Sequence, residues 1–261
     1  MNIDKFTITS YDQILGFDKA NGSLDMILDE LTDFSLSQEE EKVDISGKAG
    51  RVIGSLKKNK KVTGSGTNGM LSGGALAAMT GTQIEDGEFT IRYTDSVTVV
   101  SNKAVTSETA IGTAGNEIGT IYLRDENKAY ISGGKKLTQT SAAPAANEFS
   151  YDPATKEITF FAGDVADGTE VILFYDAKVT GKKITNDADQ YSKTLQVFID
   201  VTCQDSCDHL FHGQFLIPRA DFSGTFQIQG GAEPSTQGFE FISQPDLCTG
   251  KNSLWDFIVF D

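Results

Sequence analysis

The sequence predicts a mainly β protein with one short helix and a small inserted β module. Three observations lead there. Apolar and polar residues alternate with period two in most apolar segments, helical signals are few and clearest in one small-residue stretch, and Asp-Pro and Asp-Gly turns punctuate the middle of the chain.

In chain order, "SLDMILDELTDF" fits two periods. Leu24, Ile27, Leu28 and Leu31 have helical spacing, while Leu24, Met26 and Leu28 alternate; its neighbours are strands, so it is read as a strand. "EKVDIS" and "NKKVTGSG" follow as strands. In "NGMLSGGALAAMTG", Met70, Leu71, Leu76 and Met79 can pack on a sheet while Gly73, Gly74, Ala75, Ala77 and Ala78 permit close approach, which makes this the helix. "EFTIRYT" sets Phe89, Ile91 and Tyr93 against Glu88, Thr90 and Arg92. Residues 103–180 combine Gly-, Ala-, Ser- and Thr-rich stretches with the strands "EITFFAG" and "EVILFYD". They read as a β-rich module inserted into a discontinuous core domain of residues 1–102 and 181–261.

Beyond the insertion, "TLQVFIDVTC" places Leu195, Val197, Ile199, Val201 and Cys203 on one face. "HLFHGQFLI" and "GFEFIS" are further strands. "DFSGTFQIQG" alternates Phe222, Phe226 and Ile228 against Ser223, Thr225, Gln227 and Gln229, and is read as a strand with a polar stripe. The segment "LWDFIVF" is apolar on both faces, which suits a central strand or one buried against a neighbouring subunit.

Composition narrows the function. A net charge of −15 argues against nucleic acid as an attractive ligand, since such binding neutralises phosphates with Lys and Arg. No apolar run reaches the ~18 residues of a membrane helix. The start "MNIDKFTITSYDQ" lacks a signal-peptide pattern, so synthesis and folding in a cytosol are expected. Three cysteines suggest reduced thiols rather than a disulfide framework.

Catalytic and ligand motifs are incomplete. Gly64-x-Gly66-x-x-Gly69 has dinucleotide-loop spacing, but no βαβ series surrounds it, and Glu85 and Asp86 fall in a turn; the glycines are expected to permit close backbone approach instead. Ser55-x-x-Lys58 lacks the companion motifs of serine acylases. Cys203, Cys207, His209 and His212 cluster within ten residues, but on two strands and a turn rather than a zinc knuckle, so no metal, cofactor or catalytic residue is assigned.

Charge patterning is more telling. Residues 25–44 hold eight acidic groups and one lysine, whereas Lys48, Arg51, Lys57, Lys58, Lys60 and Lys61 follow with no acid between them. The basic stretch is expected to be an extended mobile loop that meets an acidic surface on the next subunit.

The order of features resembles the major tail protein of tailed bacteriophages. The resemblance is carried by "EEEKVDISGKAGR", "VIGSLKKNKKVTGSGTNG", the helix "MLSGGALAAMTG", "GEFTIRYTDSVTV", "TLQVFIDVTC" and "GQFLIPRADFSGTFQIQGG", and covers most of the chain outside 103–180. It implies a β-sandwich or barrel-like core flanked by one helix, and a structural protein without catalytic activity. Subunits would close into hexameric rings, stacked as a tube through which DNA passes without specific binding. The implied partners are further copies of the chain and other tail proteins such as the tape measure and tail terminator, with no membrane. The implied place is the virion tail, assembled in the bacterial host cytoplasm. On this reading Arg51, Lys57, Lys58, Lys60 and Lys61 are inter-subunit candidates, and Ser223, Thr225, Gln227 and Gln229 are lumen-facing candidates. The alternative from another class is a β-rich surface adhesin or carbohydrate-binding module.

Overall fold

The structure is a computed structural model that describes residues 5–123, 136–226, 228, 234–248 and 250–260. The chain divides into two compact units, Met1–Glu85 with Ile184–Asp261, and Asp86–Lys183. The first opens with β1 (Phe6–Asp18), β2 (Leu24–Leu28), β3 (Leu31–Ser46), a 3-10 turn at Lys48–Gly50, β4 (Val52–Asn68) and helix α1 (Gly73–Thr80). The second contains β5 (Glu85–Thr98), β6 (Lys103–Val105), β7 (Ala110–Ile111), β8 (Thr120–Leu123), β9 (Lys136–Gln139), β10 (Glu148–Asp152), β11 (Glu157–Phe160) and β12 (Glu170–Lys183). The chain then returns to the first unit with β13 (Thr194–Asp205), β14 (Leu210–Phe222), β15 (Gln237–Ser243) and β16 (Asp256–Phe260). The protein is mainly β, and α1 is its one α-helix among the described residues.

In the first unit the strand order is β2-β1-β13-β14-β15-β4-β3, with β16 also on β14. Although β1 and β3 lie far apart in that order, Tyr11 of β1 meets Phe34 of β3 with ring centroids 5.0 Å apart. The sheet must therefore curl into a half-barrel. Its core takes one face of each alternating strand: Ile14, Leu195, Val197, Ile199, Val201 and Phe241 are fully buried. Period two thus converts directly into burial, because successive side chains leave opposite faces of the pleat.

Helix α1 packs on β2. It is capped by Ser72, whose hydroxyl accepts from Ala75 N, and by Gly81 in the left-handed region at φ 75°. Met79 is buried as the spacing predicts, together with the close-packed Ala75, Ala77 and Ala78, but Met70 and Leu71 precede the helix and are exposed. Close approach decides this, since a Cβ on Gly74 would stand 2.5 Å from the Asp25 carbonyl oxygen.

The second unit orders its strands β5-β12-β8-β9-β10-β11-β6, with β7 on β12. It has its own core of Val99, Ile121, Leu137, Phe149, Leu173 and Tyr175. Buried Asp95 ties a loop to this core, accepting from Ser107 N (2.7 Å) and from the Tyr175 hydroxyl (3.0 Å). The unit begins before residue 103, because β5, which carries "EFTIRYT", pairs with β12. Ion pairs Asp86–Lys182 (2.6 Å), Glu88–Lys178 (2.8 Å) and Asp176–Arg92 (3.0 Å) run along that pairing. Alternation reveals a strand but not its partner.

Two strand expectations are corrected. Of the two readings given for the last strand, the central one is set aside: among the described residues β16 pairs with β14 alone, leaving Ile258 and Phe260 exposed. And β14 ends at Phe222, so "DFSGTFQIQG" is not one continuous strand. Ser223 and Gly224 turn the chain there, with Ser223 N donating to the Glu240 carbonyl and Thr225 N to the Ser223 hydroxyl.

Candidate functional site: an exposed hairpin arm

β3 and β4 are the longest strands of the protein, and only their inner halves belong to the half-barrel. From Ser37 to Lys61 every residue except Gly47 is exposed. Among the described residues the outer halves pair only with each other, with Val43 opposite Leu56 and Ile45 opposite Gly54. They form a free-standing two-stranded arm closed by the turn at Lys48–Gly50.

Its charges pair within the chain. The acidic stretch lies on β3 and the basic stretch on β4, so that Glu40 meets Lys57 at 2.8 Å and Glu41 meets Lys58 at 3.3 Å. A bulge at Asn59 and Lys60 sets this register: Glu39 faces Lys61 but Glu41 faces Lys58. Asn59 adopts φ 53°, tolerable for asparagine, and its amide donates to Glu41 Oε2 at 2.6 Å. The Lys57 hydrogen bond and charge hold the Glu40 carboxyl below its ordinary value, and the same contact raises the Lys57 ammonium. The basic stretch is therefore a strand, not the mobile loop expected. Its nearest acidic surface is its own β3, because hairpin closure brings the two charge blocks together at no cost in association entropy.

The arm ends in an apolar surface that charge counting overlooks. Val43, Ile45, Val52, Ile53 and Leu56 are 38%, 51%, 56%, 66% and 56% exposed. A two-stranded hairpin is marginal in water, and aliphatic side chains gathered on one are a hallmark of a surface that another molecule covers. Alternation within "VDIS" signalled β3 as strand, whereas Val52, Ile53 and Leu56 fell in the stretch expected to be a loop, and which face lacked a cover depended on the sheet.

The other sequence candidates fall elsewhere. Arg51 sits at the arm tip beside the turn. Ser223 and Thr225 lie in the loop after β14, and Gln227 and Gln229 lie outside the described residues. Gly64 and Gly66 belong to β4, where Phe241 and Phe239 of β15 face them as register partners and fill the space their side chains would take. No helix follows them directly, and α1 begins only at Gly73. The cysteine and histidine cluster is dispersed by the β13–β14 hairpin. Cys203 enters the core, Cys207 is exposed in the turn, His209 bonds Asp205, and His212 is exposed and packs near Phe260. Backbone donors from His209 and Cys207 hold Asp205 below the ordinary carboxylate value. Among the described residues, no helix is long and apolar enough to cross a membrane.

A search of curated proteins finds no match to the chain. A family model does match, and it spans residues 6–253, covering the second unit, the whole arm and the first unit as far as residue 253. On that match the chain belongs to the YomU/Tube protein family, a family of phage tail tube proteins.

Proposed function

We propose that this tail tube protein closes into six-membered rings that stack into a tube and conduct the genome, with the β3–β4 arm as an inter-subunit element. The observation that supports the reading best is the arm itself. A monomer has no use for a hairpin that runs so far beyond its own core, whereas a repeating assembly supplies the same neighbour to every copy. Arg51, Lys57, Lys58, Lys60 and Lys61 lie along it, and their role is assembly rather than DNA binding. The net charge of −15 suits a conduit whose wall repels its cargo. Ser223 and Thr225, uncharged and on a loop, are kept as lumen candidates in that scheme. Assembly proceeds in the host cytoplasm, alongside tape measure and terminator proteins, and involves no cofactor or catalytic step.

Negative-stain microscopy of concentrated protein tests this directly. Hollow tubes or rings with six-fold averages are the expected outcome. A monodisperse monomer at every concentration, or rings of another order, would overturn the ring proposal.

A further inference from the structure

Among the described residues, nothing covers one end of the half-barrel's apolar interior. There Ile8, Tyr11, Phe34, Leu36, Phe215 and Trp255 line a groove of about 250 Å³. All six are partly exposed, and Trp255, the single tryptophan of the chain, is 40% exposed. Helix α1, which packs on β2, contributes nothing to this lining.

We infer that this groove is the receptor for the apolar arm tip of a second copy of the chain. The inference rests on the tube reading above and deepens it by assigning both halves of one contact. Three features carry it. First, the arm tip and the groove are both apolar, partly solvated and, among the described residues, without a cover in their own unit. Second, the arm cannot serve its own groove. Its root residues Gln38 and Val62 line that groove, and Ile53 and Leu56 lie six to nine residues farther along a paired strand, about 20 to 30 Å away at ~3.3 Å per residue. A hydrogen-bonded ladder cannot fold back over that length. Third, charge favours the occupant: the tip from Ile45 to Leu56 carries Lys48 and Arg51 and no acid, and the whole arm, 37–61, holds seven basic against four acidic residues, while the chain as a whole is strongly acidic, so a second copy attracts the tip.

The contact is heterologous, arm of one copy into groove of the next, which is the kind that propagates. Its core is apolar, so it should persist in high salt, unlike one made by the lysines.

Two complementary variants test it. Ile53→Asp with Leu56→Asp disables the arm and keeps Trp255. Trp255→Asp disables the groove and keeps the arm, with Leu36→Ser as the alternative if that chain fails to fold by circular dichroism. Each alone should form no tubes. Mixed, one good arm meets one good groove, so a one-to-one pair should sediment. With Trp255→Asp as the partner, the only tryptophan present sits in the intact groove, and its emission should move to shorter wavelength, saturating at equal amounts. Tubes from either variant alone, or no pair and no shift on mixing while wild-type protein still builds tubes, would overturn the assignment. A pair that forms while wild-type protein never makes rings or tubes would leave this contact standing and sink the tube reading instead.

Discussion

The ring of Phe241 occupies the space that a Cβ on Gly64 would need, across a register pair of the β4–β15 ladder. Gly66 and Phe239 repeat the arrangement two residues on. The glycine spacing that resembles a dinucleotide loop is thus a device for seating two core aromatics on a strand. Gly64→Ala should destabilise the first unit by about 1–3 kcal/mol through overpacking. Chemical denaturation would read this as a lowered midpoint, and an unchanged midpoint would show that Phe241 moves aside freely.

The three thiols should react at two different rates. Cys207 and Cys248 are exposed, whereas Cys203 is buried in the half-barrel core, where burial and then the Asp12 charge push its thiol above the ordinary value. Alkylation at neutral pH, followed by mass spectrometry, should label two sites quickly and the third only on denaturation. Fast labelling of Cys203 would mean that β13 opens in the native state.

The second unit should be removable. Ile84 and Ile184, on either side of it, both approach Gly73, their Cδ1 atoms 3.4 and 3.7 Å from where its Cβ would lie. The two connections therefore leave the first unit at one place. Joining Glu85 to Ile184 through a short Gly/Ser linker should leave a cooperative thermal transition. A cut at 108–176 should fail, because it leaves β5 with only half of β12. Aggregation of the shorter chain lacking 86–183 would show that the first unit depends on the second.

Reversing the arm charges should spare the fold and damage assembly. Lys57, Lys58, Lys60 and Lys61 changed together to Glu would set acid against acid along β3, which frays the arm. The core lies inward of Val62 and should melt as before by circular dichroism. Tail incorporation in a complementation assay should fall, and normal tails from the variant would remove the arm from assembly.

The same ion pair gives a pH dependence. Glu40 is depressed by Lys57, so its contribution is fully present above the ordinary carboxylate value and is lost as pH falls through the lower folded value. Lys57 is raised, so its contribution is present below the ordinary lysine value and is lost as pH rises through the raised one. Arm order, followed by NMR of the Asn59 side-chain amide, should hold between those limits and fall off outside them. A signal that does not change at acid pH would show that the pair does not order the arm.

How much was legible beforehand differs by element. β13 could be read from its sequence because Leu195 to Cys203 alternate without interruption, and burial follows that alternation residue by residue. "DFSGTFQIQG" alternates too, yet Ser223-Gly224 breaks the strand, since a period can be satisfied by a turn that the backbone prefers. The acidic and basic blocks were visible as composition, but nothing in composition distinguishes a charge pair within one hairpin from one between subunits.

The sequence by itself determined the mainly β class, the existence of most strands, the helix at the small-residue stretch and the likeness to tail tube proteins, because these depend on local periodicity and residue order. Only the tertiary structure decided that β5 pairs with β12, that the lysines lie on a strand opposite their own acids, and that Val43, Ile45, Ile53 and Leu56 stay uncovered while Trp255 rims an open groove. The physical reason is that pairing and curvature are long-range. Which face of a strand is covered depends on where the sheet curls and where a neighbour ends, and no window of sequence contains that information.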